Sequence, residues 1–165
     1  MRILAVSGSL QSQSKNLLLL DSAAASAPPG VIVTVFDGLR DLPHFNPDLD
    51  ASGPPESVLL WRHALEQCDA VLFACPEYGH SLPGALKNAI DWVIGSGELE
   101  GKVAAITAAV PSPERGRRGL QALRDTLNAV RATIVGGEPI PAGPDFDLRV
   151  AALIQALVQT VATAG

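Results

Sequence analysis

Two short polar stretches, each lying between an apolar run and a helical pattern, hold the residue types from which a ligand site is built. The first is Ser7-Gly8-Ser9-Leu10-Gln11-Ser12-Gln13-Ser14-Lys15-Asn16. A loop that curls at a helix start turns unpaired backbone N–H groups inward, and the helix dipole favours an anion there by about 0.3–1 kcal/mol. Ser9, Gln11, Ser14 and Asn16 add side-chain hydrogen-bonding groups. The loop matches neither the GxxxxGKS/T phosphate loop nor the GxGxxG dinucleotide fingerprint, so a monophosphate suits it better than a triphosphate or a dinucleotide. Ser14 serves equally well as a plain helix cap with its neighbours facing water, and this loop alone leaves both readings open.

The second stretch is Pro76-Glu77-Tyr78-Gly79-His80-Ser81. It follows Ala70-Val71-Leu72-Phe73-Ala74-Cys75, a continuous apolar run of the kind found in a parallel strand covered on both faces. After it, Leu82, Ala85, Leu86, Ala89, Ile90 and Val93 recur at helical spacing, with Ser81 expected as the cap and Pro83 in the first turn. A loop at the carboxyl end of a buried strand is a candidate wall for a flat ligand.

Other chemistry-bearing residues are less distinctive. No Ser-His-Asp arrangement or metal-ligand spacing stands out. His80 and His44 lack the partner expected of a general base, and Glu77 has no second carboxylate, so its backbone is the safer contribution. Cys68 and Cys75 do not resemble a disulfide framework, which suits a reducing cytoplasm, and Cys75 reads as a small buried apolar group. Arg115, Arg117 and Arg118 fit either a phosphate contact or a solvated basic loop. Trp61 and Trp92 read as packing residues, and Lys87 and Asp91 as an i,i+4 surface pair.

The elements that must position these loops alternate along the chain. Strands are expected at Ile3–Ser7, Val31–Phe36, the 70–75 run, Lys102–Ala108 and, more weakly, Thr133–Val135. Helices are expected at Ser14–Ala25, Glu56–Cys68, Leu82–Ile94, Arg118–Val130 and Leu148–Thr163. Such alternation implies right-handed crossovers and an α/β fold, a five-stranded parallel sheet in the order 2-1-3-4-5. Its switch point brings the Gly8–Asn16 and Pro76–Ser81 loops into one crevice. With 165 residues the chain is expected to be one domain, 1–165, since 47% hydrophobic and 18% charged residues exclude global disorder. A net charge of −5 disfavours nucleic-acid partners, and no apolar run approaches the ~20 residues of a bilayer span, so no membrane partner is expected.

Taken together, Gly8-Ser9-Leu10-x-x-x-Ser14-x-Asn16, Pro76-Glu77-Tyr78 and Leu86-Lys87-Asn88-Ala89-Ile90-Asp91-Trp92 resemble the NADPH-dependent FMN reductase family. Asp37-x-Leu39-x-x-Leu42-Pro43-x-Phe45-Asn46-x-Asp48 extends the likeness to nearly the whole chain. The resemblance implies a flavodoxin-like three-layer sandwich and an oxidoreductase. That enzyme passes electrons from NADPH or NADH through FMN to a flavin, quinone, azo compound or similar acceptor, in a ping-pong cycle. It also implies a homodimer or homotetramer, with Trp92 near an interface. By similarity Ser9, Gln11, Ser14, Asn16 and Leu17 surround the FMN phosphate, and Pro76, Glu77, Tyr78 and Gly79 border the isoalloxazine; no catalytic side chain is implied. Backbone N–H groups from Glu77 to Gly79 would stabilise negative charge on the ring. Gln11 stands where the family often has Arg, and Gly79 where it often has Asn. The first change removes a charge-assisted contact, and the second lets backbone approach the ring. An FMN electron carrier without a nicotinamide site, or a flavin-free nucleotide-processing protein, are the rival readings.

Overall fold

A computed structural model describes residues 1–164. Strands β1 (Arg2–Ser7), β2 (Ile32–Phe36), β3 (Ala70–Ala74), β4 (Val103–Val110) and β5 (Thr133–Pro141) form one sheet in the order β2-β1-β3-β4-β5. All four pairings are parallel, so the order expected from the alternation is the one observed. Helices α1 (Lys15–Ala25), α2 (Pro47–Ser52), α3 (Glu56–Glu66), α4 (Gly84–Asp91), α5 (Arg117–Ala129) and α6 (Phe146–Ala164) connect and cover it.

The central strands are apolar throughout because both faces are covered, as all-parallel sheets require. On one face Leu4, Val6, Val71, Phe73 and Ile106 pack with α3, α4 and α5 around Trp61 and Trp92. On the other, Ile3, Ala5, Leu72 and Ala105 pack with α1 and α6 through Leu19, Leu20, Val150, Ile154 and Leu157. Both indole N–H groups are satisfied inside the chain: Trp61 donates to the Ala89 carbonyl and Trp92 to that of Pro43, each at 2.8 Å. Trp92 is therefore enclosed by its own chain.

Some boundaries differ from expectation. β4 runs on to Val110 and β5 to Pro141, because a register shift after the Ile106–Gly136 pair absorbs Gly137 and Glu138 opposite Thr107 as a bulge instead of ending the strand. The Thr107 hydroxyl donates to the Glu138 carbonyl across it at 2.9 Å, and Pro139 and Pro141 are tolerated because β5 is an edge strand. Between β2 and α3 the chain forms a 3-10 turn (Gly38–Asp41) and α2, neither of which was expected. Asn46 caps α2, accepting from the Asp48 N–H at 2.9 Å, and Pro47 opens it. Ser81 does not cap α4. Pro83 holds the cap position without a side-chain bond, and the helix begins at Gly84.

Helix α6 has the length and composition to cross a membrane, contrary to the expectation that no segment would. Here it lies over β4, β5 and α1, with Val150, Ile154 and Leu157 buried.

Candidate functional site

The loop after β1 and the loop after β3 meet at the carboxyl edge of the sheet. Gly8 donates to the Ala74 carbonyl at 2.8 Å, which ties the first residue of one loop to the last residue of β3. A Cβ on Gly8 would lie 3.1 Å from Leu86, 3.2 Å from Pro76 and 3.4 Å from Pro83, so absence of a side chain lets the loops touch. Further out, the Ser9 hydroxyl and the Tyr78 phenol are hydrogen-bonded at 3.2 Å. The two loops expected to share the switch point thus do meet there, and this pair bridges them.

Within the first loop the side chains mostly organise backbone. The Ser7 hydroxyl donates to the Ser9 carbonyl and accepts from the Ser9 N–H, the Ser9 hydroxyl accepts from the Gln11 N–H, and Ser14 Oγ accepts from the Asn16 N–H, each at 3.2 Å. Ser14 is accordingly the cap of α1. Asn16 Oδ1 accepts from the Ala109 N–H at 2.9 Å, which fastens the start of α1 to the end of β4. The backbone N–H groups of Ser12, Gln13 and Lys15 bond no acceptor among the described residues. They remain as donors at a helix N-terminus, the arrangement that receives an anion. Gln11 is exposed, and Ser9, Gln11 and Leu17 also line a small groove toward β2 with Asp37 and Arg40. Ser14 and Asn16 do not border that groove, so the five residues of this loop are divided between two sides of it.

The second loop is a tight two-residue turn. Tyr78 and Ser81 exchange both backbone hydrogen bonds at 3.0 Å, and Gly79 and His80 between them have φ of 56° and 62°. Positive φ at both central positions is the type I′ pattern, which favours Asn and Gly. Gly79 therefore suits the turn by its backbone conformation and not by crowding, with nothing within 4 Å of its would-be Cβ. His80, a non-glycine residue in the left-handed region, holds a strained conformation.

Glu77 is placed unexpectedly. Its Oε2 accepts from the N–H of Arg118 at 2.9 Å and of Gly119 at 3.3 Å, in the first turn of α5. Gly116 precedes that helix and offers no side-chain cap, so the carboxylate fills the role from another loop. The Glu77 side chain thus has a structural task, where the sequence favoured a contribution from its backbone. The sequence signal was Gly119, a glycine inside an expected helix, which marks close backbone approach.

Of the three arginines after β4, Arg115 is exposed in a turn, its N–H donating to the Ser112 carbonyl at 3.1 Å, and the other two are held differently. Arg117 pairs with Glu138 at 2.8 Å and donates to the Pro113 carbonyl, whereas Arg118 Nη1 meets His80 Nδ1 at 2.8 Å. Arg118 thereby lies over the turn with no carboxylate on its guanidinium among the described residues. Burial, reinforced by the charge of Glu77, pushes the Cys75 thiol from 9.0 up to about 12, so it is an inert apolar group beside the crevice. Among the described residues no cluster of three or more His, Cys, Asp or Glu side chains is arranged to hold a metal.

Known proteins resemble this chain over most of its length. An NAD(P)H-dependent FMN reductase of Pseudomonas aeruginosa is 40% identical over 128 residues, spanning 76% of this chain and 69% of that one. A quinone reductase of Pseudomonas putida is 35% identical over 125 residues, 74% and 67% of the two chains. Among solved structures, the flavoenzyme NAD(P)H:(acceptor) oxidoreductase FerB of Paracoccus denitrificans superposes with a TM-score of 0.87 at 27% identity, covering 99% of this chain and 98% of its own. Flavodoxin 1 of Bacillus cereus, with a TM-score of 0.68 at 18% identity over 96% and 98% of the chains, shares the fold. The family profile described as NADPH-dependent FMN reductase matches residues 1–143, which include both loops and the start of α5; with that match and these relatives, the chain belongs to the NADPH-dependent FMN reductase family.

Proposed function

We propose that residues 1–165 act as a single FMN-binding unit that takes reducing equivalents from NADPH or NADH and delivers them to a quinone, flavin, azo compound or similar small acceptor. The observation that carries this reading is the join between the two loops, Ser9 to Tyr78 at 3.2 Å, with backbone donors left free on the phosphate side.

The residues fit the cofactor. The N–H groups of Ser12, Gln13 and Lys15 and the hydroxyl of Ser14 would receive the FMN phosphate, with the α1 dipole supplying the charge complement that an Arg at position 11 supplies elsewhere in the family. Asn16 would act indirectly, its carbonyl oxygen already committed to Ala109. Pro76, Glu77, Tyr78 and Gly79 would border the isoalloxazine, and Ser9, Gln11 and Leu17 would flank the phosphorylated end of the tail. When bound, FMN supplies the hydride and electron chemistry, in two half-reactions of a ping-pong cycle. The turn at Gly79 and His80 holds backbone N–H groups in a fixed orientation, so charge arising at the ring edge meets donors that need not reorganise. Arg118, uncompensated at the mouth, offers an anionic substrate a charge-assisted contact.

We place the protein in the cytoplasm, consistent with its two free cysteines. A homodimer or homotetramer is supported by Leu59, Leu60 and Ile94, exposed apolar residues around α3 and the end of α4, and sedimentation of the purified protein at monomer mass would remove that part of the reading. The central test is titration of the apo-protein with FMN followed by anaerobic addition of NADPH or NADH. Binding with bleaching of the visible flavin band is expected. Binding without bleaching points to an electron carrier, and no binding ends the proposal.

A further inference from the structure

Helix α5 lacks a cap of its own. Gly116, with φ 85°, brings no side chain to its first turn, yet that turn is not bare, because Glu77 reaches it across 41 positions of sequence. The contact is built from both sides. A Cβ on Gly119 would lie 2.9 Å from Glu77 Cα and 3.2 Å from the Pro76 carbonyl oxygen, so the helix backbone rests directly on the loop backbone. Arg118 then reaches forward to His80 at 2.8 Å, gripping the far end of the turn. Across the crevice the turn is held through one side-chain contact, Tyr78 to Ser9, and Tyr78 is half exposed.

We propose that Glu77 is a positioning residue: by capping α5 it locks the Tyr78–Ser81 turn to that helix and so sets where the turn meets the flavin. The claim rests on the reading of the crevice as the FMN site. A carboxylate is well matched to the task, since it satisfies two orphan N–H groups and complements the positive end of the helix at once. No other side chain among the described residues competes for it: Arg117 is occupied by Glu138 and the guanidinium of Arg118 by His80. The turn, strained at His80, needs such a hold, because a left-handed non-glycine residue persists only where its surroundings over-determine it.

The test uses the full chain and three variants, read by amide hydrogen exchange in the apo-protein and by FMN fluorescence titration. E77A removes the cap, and protection of the Arg118 and Gly119 amides is lost while FMN affinity falls about tenfold. E77Q keeps an acceptor oxygen without the charge, so it retains protection of both amides and stays within about threefold of wild-type affinity. G119A keeps the carboxylate but forces the backbones apart, and its FMN affinity falls as in E77A. Should E77A fail to fold, E77D, whose shorter arm withdraws the carboxylate, replaces it with the same expectation. Wild-type FMN affinity in E77A or E77D, or E77Q behaving like E77A, overturns the positioning role alone. A wild-type chain that takes up no FMN overturns the crevice reading and this role with it.

Discussion

Ser14 is the residue at which structure and ligand binding can be pulled apart. Its hydroxyl caps α1 by accepting from Asn16, a task that Asp performs about as well. In Ser14→Asp the helix should therefore keep its cap, and thermal stability should change by less than about 0.5 kcal/mol. The new carboxylate would nonetheless oppose a phosphate at the same helix start, so FMN affinity is expected to fall at least about tenfold. Matched melting curves and FMN titrations check this; unchanged affinity would remove Ser14 from the cradle. Cys75 makes the opposite case, a residue beside the crevice with nothing to do in it. Because its folded pKa lies near 12 against an ordinary 9.0, the stability contributed by the neutral thiol is complete below pH 9 and is lost as pH rises toward 12. Urea unfolding at pH 8 and 10.5 should show a larger loss for wild type than for Cys75→Ala, and a disulfide reagent at pH 8 should label Cys75 only after denaturation. The Ser14 cap was legible in the sequence because cap and helix are adjacent. The role of the Glu77 carboxylate was not, since its partners are backbone amides 41 and 42 positions away and any residue type can offer those.

At the scale of elements, the turn after β3 turns on backbone sign rather than on contacts. Nothing crowds Gly79, so any cost of replacing it comes from φ alone. Gly79→Asn should be nearly neutral, because Asn tolerates the left-handed region, while Gly79→Val should cost about 1–3 kcal/mol and loosen FMN. Urea denaturation and FMN titration of the two variants separate these outcomes, and equal destabilisation by both would contradict the type I′ geometry. The sequence showed that a loop stood here but suggested a different reason for its glycine, close approach to a ring. Only the paired signs of φ at Gly79 and His80 reveal the turn type. The ends of β5 were hidden for a related reason. Gly136-Gly137-Glu138-Pro139 reads as a stop signal, yet a bulge at a sheet edge accommodates it and the strand continues. Helix α2 had its signal in place, Asn46 followed by Pro47, but with six residues it is too short for periodicity to show.

For the molecule as a whole, alternation pointed to a parallel sheet with right-handed crossovers, five strands suggested the order 2-1-3-4-5, and that order places the loops after β1 and β3 at one edge. That geometry bears on kinetics. The crevice is bounded by the β1 and β3 loops and the first turn of α5, and the bonds from Tyr78 to Ser9 and from Arg118 to His80 close its walls against each other. On the proposed reading, nicotinamide and acceptor would share one exposed face of the bound FMN and so would take turns. Initial rates measured against NADPH at several fixed quinone concentrations should then give parallel lines in double-reciprocal form, and excess quinone should inhibit competitively against NADPH. Arg118→Ala should raise the KM for NADPH severalfold with kcat nearly preserved, because it removes a contact made equally before and during transfer. Intersecting lines would mean that both substrates are held at once, and would overturn the ping-pong reading.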